Sequence, residues 1–207
     1  MTIVVGSGGS GKTHLIKYIM CQEWASKAFD YLVVFTMNSD DYGYLDPDYI
    51  HTDFTNIVRD VVAILKFQRD LIRNGVTKRI VFDDVIGAIN FNDPFWTMLN
   101  SQFRHFNLII VYSVQYINKI PPVFRENAFR AIIFKQNSVR SVNACYESFG
   151  QRFFNKLVDF KAYLERSTNN RAFVVVNNKV LVNTFNEVYK AMRAPGPDKM
   201  PRFYITY

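Results

Sequence analysis

Five short runs of apolar residues recur along the chain at the length of β-strands, and none alternates cleanly between apolar and polar positions. They are Thr2–Val5, Tyr31–Thr36, Arg79–Phe82, Leu108–Ser113 and Arg130–Lys135. Strands covered by helices on both faces show this pattern, because every side chain then lies in an apolar layer. The runs therefore predict the strands of a mostly parallel central sheet.

Stretches with helical spacing lie between these runs. The first is predicted to begin within residues 6–13 and to end near Lys27, and the clearest spans about Asn56–Asn74 with Gly75 as its C-terminal stop. A third begins at Asp93, an N-cap residue that is followed by proline. Because strands and helices alternate, we expect an α/β fold with helices on both faces of the sheet.

The pattern changes after Lys135. Residues 138–149 and 151–166 predict two helices separated at Gly150, and residues 171–185 predict a β-hairpin that turns at Asn177–Asn178. The proline-rich residues 193–207 are expected to be extended along their own domain, to reach a neighbour, or to be loosely ordered. We expect one domain over residues 1–207, with a core of about 1–136 and an extension of helices, hairpin and tail over about 137–207.

Composition adds a charge argument. The chain has 207 residues, of which 49% are apolar and 21% are charged, so a large buried core is expected. The formal net charge of +7 favours a polyanionic partner, although a generally basic soluble protein would carry it as well. No apolar run approaches the ~20 residues of a membrane span, and a strand at the N-terminus argues against a signal peptide. We therefore do not expect a secreted protein.

The cysteines and histidines do not suggest a metal site. Cys21 and Cys145 are far apart in the sequence and lack C-x-x-C spacing, so both are expected to be reduced core residues. His14, His51 and His105 share no helical face and have no companion cysteines, so zinc is not expected.

Residues 6–13, GSGGSGKT, match the phosphate-loop spacing G-x-x-x-x-G-K-[ST] between a predicted strand and a predicted helix. Glycines let successive backbone N–H groups face phosphate oxygens, and the helix N-terminus adds positive potential. Lys12 would reach the β- and γ-phosphates, and the Thr13 hydroxyl would hold Mg²⁺. We expect ATP and Mg²⁺ as cofactors. The candidate nucleotide-binding residues are Gly6, Ser7, Gly8, Gly9, Ser10, Gly11, Lys12, Thr13 and His14, the last either near the nucleotide or at the surface.

Two adjacent carboxylates, Asp83 and Asp84, end the predicted strand RIVFDD. An acid at the carboxyl end of such a strand, across from a phosphate loop, holds the magnesium shell, and Asp83 suits this Walker-B role. Asp84 is the candidate general base for the attacking water. Its side chain is shorter than the glutamate found in many hydrolytic relatives, so it would need a closer water.

Three further polar residues flank the strand predicted at Leu108–Ser113. Gln115 follows the strand, and its amide can donate to a phosphate and accept from a water, so it can sense the γ-phosphate. Arg104 before the strand and Arg125 after it are candidate arginine fingers, acting on their own or another subunit's γ-phosphate. An ordinary surface residue is the alternative for each.

Taken together, four segments resemble the genome-packaging ATPases of poxviruses and other large DNA viruses, within the FtsK–HerA superfamily. The segments are GSGGSGKT, VVFTMNSDDYGYLDPDYI, RIVFDDVIG and FRHFNLIIVYSVQYINKIPPVFREN. The resemblance covers about Ile3–Asn127. It depends most on the Arg-His pair before the fourth strand, on the glutamine that ends that strand and on the downstream PP..R.N pattern.

The resemblance implies a RecA-like P-loop NTPase core of the ASCE type and a homo-oligomeric ring of roughly five or six subunits, with each nucleotide between neighbours. Lys12 and Thr13 fall on the Walker-A pair, Asp83 and Asp84 on the Walker-B acids, and Gln115 on the sensor glutamine. Either Arg104 or Arg125 would act in trans, and Arg104 is favoured.

The implied activity is ATP-driven translocation of viral double-stranded DNA into a preformed capsid. A capsid vertex protein or an internal-membrane protein would dock the motor, in the virion or at a cytoplasmic assembly site of the host.

Contact with DNA is a separate question. The segments LIRNGVTKR (71–79) and KQNSVRS (135–141) offer positive charge for duplex phosphates, or are ordinary solvated loops. The acidic, tyrosine-rich residues 40–54 are expected to form a nucleotide-side or subunit-contact loop.

Two other functions are compatible with a phosphate loop. One is a nucleoside or nucleotide kinase, although the chain lacks the arginine-rich lid of such enzymes. The other is a nucleotide-dependent scaffold with slow hydrolysis.

Overall fold

The computed structural model describes residues 1–178, 184–199 and 204–205. Eight strands form one sheet. They are β1 Thr2–Val5, β2 Tyr31–Thr36, β3 Ile50–His51, β4 Lys78–Asp83, β5 Leu108–Val114, β6 Arg130–Phe134, β7 Ala172–Asn177 and β8 Tyr189–Arg193. Their order across the sheet is β3-β2-β4-β5-β1-β6-β7-β8. The five strands expected from the apolar runs are confirmed to within one residue at each end.

The first six strands are parallel, and the last two are antiparallel at one edge of the sheet. Strand β1 lies at the centre, between β5 and β6. The short strand β3 was missed in the sequence, because a two-residue pairing with β2 leaves no apolar run to recognise. Parallel pairing places the carboxyl ends of β1, β4 and β5 at the same edge, which is where the candidate site residues were expected.

Seven α-helices accompany the sheet within the residues that the structure describes. They are α1 Lys12–Ala25, α2 Ile57–Leu71, α3 Pro94–Gln102, α4 Pro122–Asn127, α5 Val139–Cys145, α6 Leu157–Ser167 and α7 Phe185–Val188. The first three confirm the sequence-based helices. Helix α2 continues into a 3₁₀ turn that stops at Gly75, where φ is +72°. The carboxylate of Asp93 accepts a hydrogen bond of 2.9 Å from the Phe95 N–H and so caps α3.

The two helices expected after Ser138 have different bounds. Helix α5 continues as one π-helical turn to Gly150, but the next helix begins at Leu157 rather than at Gln151. The intervening residues turn, because the Phe153 and Phe154 N–H groups both donate to the Gly150 carbonyl. The turn inserts Phe154 among four aromatic rings, those of Phe160, Tyr163, Phe185 and Tyr189. A Cβ at position 150 would lie 2.7 Å from the Tyr146 ring and 2.9 Å from the Phe160 ring, so only glycine fits there.

The C-terminal hairpin is present, but its second arm lies later in the chain than residues 171–185 suggest. Strand β7 pairs with β8, which begins at Tyr189. Thr184 and Glu187 form a capping box that starts α7. Phe185–Val188 are therefore helical, and β8 begins only after them. The turn expected at Asn177–Asn178 leads into residues 179–183, which lie outside the described part of the chain.

The described part of the tail packs along its own chain. Ile205 is fully buried and forms an isolated parallel bridge with Leu45. Its N–H donates to the Tyr44 carbonyl at 2.8 Å. Further upstream, the Pro195 carbonyl lies 2.9 Å from Nε2 of His14 on α1. At these positions the tail therefore lies along its own domain, which is the first of the three alternatives predicted for it.

Apolar side chains fill a layer on each face of the sheet. On one face the rings of Phe35, Phe82 and Tyr112 stack across three neighbouring strands, with centroids 5.0 and 5.1 Å apart. Cys21 and Cys145 are both free and buried, as expected. Among residues 1–178, 184–199 and 204–205, no helix has both the length and the apolar character that a bilayer crossing requires.

Candidate active site

The glycine-rich loop connects the central strand β1 to α1. The Gly6 N–H donates to the Val114 carbonyl of β5 at 3.1 Å, which fixes the start of the loop. Gly9 and Gly11 have φ of +70° and +98°, a left-handed conformation that glycine adopts without strain. A Cβ at position 6 would lie 2.7 Å from the Phe134 Cβ, so β6 packs directly on the loop. These features give the compact turn that an anion-binding loop needs in front of a helix N-terminus.

Lys12 is buried, and its ammonium lies at the mouth of this loop. Nζ donates to the Gly6 carbonyl at 2.9 Å and to the Ser7 carbonyl at 3.4 Å. It also lies 3.5 Å from the carboxylate of Asp84. The ammonium therefore links the phosphate loop to the end of β4.

Asp83 is the buried acid of the pair. Its Oδ2 accepts two hydrogen bonds of 2.9 Å, one from the Thr13 hydroxyl and one from the Tyr42 phenol. Its Oδ1 is buried, and no hydrogen-bond partner for it lies within the described residues. A buried carboxylate oxygen without a partner, beside a threonine hydroxyl and a phosphate loop, is the oxygen-rich donor set that Mg²⁺ prefers. The side chains of Thr13 and Asp83 thus fit a magnesium site.

Asp84 differs from Asp83 in both backbone and environment. Its φ is +55°, and its N–H donates to the Ser113 carbonyl at 3.1 Å. Asp and Asn tolerate this left-handed conformation better than most residues. Partial burial raises the pKa of the Asp84 carboxyl, and so does the charge of Asp83, whereas Lys12 and a hydrogen bond from the Gln115 side chain act in the opposite direction.

The structure brings five sequence-derived candidates together at the carboxyl edge of the sheet. They are Lys12, Thr13, Asp83, Asp84 and Gln115. The two adjacent acids occupy unlike environments, since one is buried and doubly hydrogen-bonded and the other is exposed at its edge. Unlike environments suit two carboxylates to two roles, metal binding and proton acceptance.

Arg104 lies at the opposite edge of the sheet. Its guanidinium packs 4.3 Å from the ring centroid of Phe129, and it lines a cavity of about 650 Å³ together with Thr2 and Leu108, the first residues of β1 and β5. Strand β1 separates this cavity from the phosphate loop of the same chain. Arg104 is therefore not placed to act on a nucleotide held by its own subunit.

Arg125 is held inside its own chain. Its Nη1 donates to the Ser148 hydroxyl, which in turn donates to the Ala144 carbonyl. The arginine thus connects α4 to the π-helical turn that follows α5. His14 contacts the tail, with Nε2 2.9 Å from the Pro195 carbonyl.

Sequence reasoning missed Tyr42 as a site residue. It lies in a 3₁₀ turn, Ser39–Tyr42, and is fully buried with its phenol on Asp83. The interpretation of residues 40–54 as a nucleotide-side or subunit-contact loop includes Tyr42 but gives it no role. A tyrosine in a polar loop carries no periodic signal, so its partner is visible only in three dimensions.

A phosphate loop after the central strand, with a buried acid at the end of a nearby parallel strand, defines the P-loop NTPase class. The sheet is mostly parallel and flanked by helices, with the antiparallel β7–β8 hairpin added at one edge. The expected fold class is thereby confirmed.

Solved structures with this architecture include viral packaging enzymes. The genome-packaging NTPase B204 of Sulfolobus turreted icosahedral virus 2, in complex with AMPPCP, superposes with a TM-score of 0.68 at 14% identity, covering 93% of this chain and 96% of that one. The DNA-packaging ATPase B204 of Sulfolobus turreted icosahedral virus gives 0.65 at 12% identity, covering 94% and 97%. The cytoplasmic domain of the type VII secretion ATPase EccC of Thermomonospora curvata gives 0.62 at 10% identity, covering 93% of this chain and 25% of that one. The resemblance suggested by the sequence is confirmed in the fold.

Sequence relatives come from large DNA viruses. The chain is 24% identical over 186 residues to uncharacterised protein 075L of Invertebrate iridescent virus 6, covering 87% of this chain and 71% of that protein. It is 25% identical over 195 residues to uncharacterised protein 015R of Frog virus 3, covering 90% of this chain and 59% of that protein. No protein-family model matches the chain.

Proposed function

We propose that this protein is the ATP-hydrolysing motor subunit that drives viral double-stranded DNA into a preformed capsid. One observation carries the proposal: a hydrolytic constellation of Lys12, Thr13, Asp83, Asp84 and Gln115 lies at one sheet edge, in a fold shared with viral packaging ATPases. The relatives in Invertebrate iridescent virus 6 and Frog virus 3 are consistent with a viral role.

The residues of the loop mouth have distinct tasks in this proposal. Backbone N–H groups of residues 6–11 and the Lys12 ammonium bind the β- and γ-phosphates of ATP. The Thr13 hydroxyl and the Asp83 carboxylate hold Mg²⁺, which when bound neutralises charge on the phosphate oxygens. Lys12 already lies within reach of both the loop and Asp84, so little rearrangement is needed to align phosphate and base.

Asp84 and Gln115 prepare the water for attack. Asp84 accepts the proton of the water, and its raised pKa makes it a stronger base than an ordinary aspartate. The Gln115 amide, which donates to Asp84, orients the same water and contacts the γ-phosphate. This pair favours attack by water over transfer of phosphate to a nucleoside, which is the chemistry of the kinase alternative.

Assembly into a ring completes the site in this proposal. Arg104, exposed at the far edge of the sheet, reaches the γ-phosphate bound by the next subunit. Head-to-tail contact of this kind closes into a ring with one nucleotide at each interface. A capsid vertex or internal-membrane protein then docks the ring where DNA enters.

An ATPase assay with and without duplex DNA tests the proposal, with Lys12→Ala as the inactive control and the mass of the assembly measured in a non-hydrolysable analogue. We expect the wild-type chain to form an oligomer whose hydrolysis rises with duplex DNA, and Lys12→Ala to hydrolyse no ATP. Transfer of phosphate to a nucleoside would establish the kinase instead. Slow hydrolysis that DNA does not change would favour the scaffold.

A further inference from the structure

The two basic segments considered for DNA contact differ in what their cations do. In residues 71–79, Lys78 is buried, with its ammonium 4.7 Å from the ring centroid of Phe67 and 5.4 Å from that of Tyr31. Arg79 is also buried and forms an ion pair with Glu23. Only Arg73 of this segment is an exposed cation. The segment therefore has little charge to offer a polyanion.

The cations near residues 135–141 are free of such contacts. Lys135 and Arg140 are exposed, and so is Lys119 on the neighbouring loop after β5. Within residues 1–178, 184–199 and 204–205, none of the three forms an ion pair. Cations without carboxylate partners keep their full charge for an external anion.

Lys119 and Arg140 line the same cavity, of about 390 Å³, which we call the 116–141 surface. Its other lining residues are Tyr116, Asn118, Ser138 and Ser141. No carboxylate is among the lining residues in the described part of the chain, and the Tyr116 side chain is 52% exposed. The Ser138 hydroxyl already donates to Ser141, so the groups available to a ligand are the two cations, the Asn118 amide and the Tyr116 phenol. Proteins use such groups to contact the sugar–phosphate backbone.

We propose that the 116–141 surface binds the phosphate backbone of duplex DNA, an inference that rests on the proposed motor function. Two cations that line one cavity can both contact backbone phosphates, and such contacts require no reading of the bases. The only other source of the same phosphate chemistry is a nucleotide held by a neighbouring subunit, and the experiment below separates the two.

The position of this surface links DNA contact to ATP hydrolysis. Tyr116 directly follows Gln115, whose side chain donates to Asp84. Tyr116 and Lys119 also line a second, smaller cavity of about 160 Å³, together with Asp84 and Gln115. The proposed DNA-binding surface is therefore adjacent to Gln115 in the sequence and borders the same cavity as Asp84.

The test measures binding of a fluorescein-labelled duplex of about 30 base pairs and arbitrary sequence to the full chain, at salt concentrations between about 50 and 200 mM. The variant is Lys119→Ala combined with Arg140→Ala. Arg73→Ala, an exposed arginine on the opposite edge of the sheet, is the matched control. We expect the double variant to bind at least about 10-fold more weakly, with the slope of log K against log salt reduced by about 1.8, since each lost phosphate contact removes about 0.9.

Arg73→Ala should bind like the wild type, and Arg140→Lys should keep the wild-type slope because the contact needs only a positive charge. Thermal unfolding of each variant checks that the exposed substitutions leave the fold intact.

If the double variant binds the duplex as tightly as the wild type does, this inference is wrong and the proposed function still stands. Absence of duplex binding by the wild type would overturn both. If the double variant keeps DNA binding but loses assembly-dependent ATP hydrolysis, the surface contacts a neighbour's nucleotide, and the inference is wrong.

Discussion

The Tyr42 phenol and the Thr13 hydroxyl donate to the same oxygen of Asp83, each at 2.9 Å. Burial, together with the charge of Asp83, raises the pKa of Tyr42 well above its ordinary value. The phenol therefore remains protonated and acts only as a donor. Asp83 is fixed by two hydroxyls from different elements, and its second oxygen is buried without a hydrogen-bond partner among the described residues.

Tyr42→Phe removes one hydroxyl and leaves the ring in place. We expect the Mg²⁺ concentration for half-maximal hydrolysis to rise about 10-fold, because partners that orient a metal-binding carboxylate contribute that much to affinity. Excess Mg²⁺ should restore most of kcat, which a general loss of structure would not allow. Tyr204→Phe, at an exposed tyrosine, is the control. An unchanged Mg²⁺ dependence in the Phe variant would show that the hydrogen bond does not position Asp83.

Asp84→Asn should separate binding from chemistry. Asparagine tolerates the left-handed backbone at this position, so the loop should keep its shape. Loss of the proton acceptor is expected to lower kcat by about 10²-fold or more, with binding of a fluorescent ATP analogue in Mg²⁺ retained. If analogue binding is lost instead, Asp84 belongs to the metal shell.

Gln115→Ala should change the pH dependence of hydrolysis. The hydrogen bond from Gln115 lowers the pKa of Asp84, so its removal raises that pKa further. Hydrolysis needs the carboxylate form and is lost as the pH falls through this pKa. The acid limb of the kcat profile should therefore move to higher pH in the variant, in addition to a lower maximum. If the acid limb of the kcat profile stays at the wild-type pH, Gln115 does not contact Asp84 during turnover.

Mixing inactive subunits tests the role of Arg104. Arg104→Ala and Lys12→Ala subunits should each be inactive alone, and mixed rings should recover activity wherever an intact loop meets an intact arginine. ATP turnover is followed as the mixing ratio changes, with mixed assembly verified by mass. The same experiment with Arg125→Ala should show no recovery, because Arg125 is bound to Ser148 of its own chain. If mixed rings recover activity with Arg125→Ala but not with Arg104→Ala, Arg125 is the arginine that acts in trans.

Much of the fold was predictable because its signals are local. A strand buried on both faces, such as β4, needs only a continuous apolar run, and Asp93 with Pro94 marks a helix start within two residues. The start of α6 was not predictable in this way. Its delay to Leu157 depends on Phe154 packing among rings from α6, α7 and β8, and the last two elements are distant in the sequence.

The site shows the same division. The spacing of Lys12 and Thr13, and the position of Asp83 after an apolar run, specify the loop and its acid directly. The contact of Tyr42 with Asp83 spans 41 positions and has no pattern of its own. Nor does the sequence distinguish exposed from buried cations, and burial of Lys78 and Arg79 is what separates the two basic segments.

The bridge between Leu45 and Ile205 has a consequence for the order of events during synthesis. The ribosome makes the turn that carries Tyr42 early and Ile205 near the end of this sequence, and domains fold as their residues emerge. The contact of the tail with Tyr44 and Leu45, next to the turn that carries Tyr42, therefore forms after all the strands of the sheet have been synthesised.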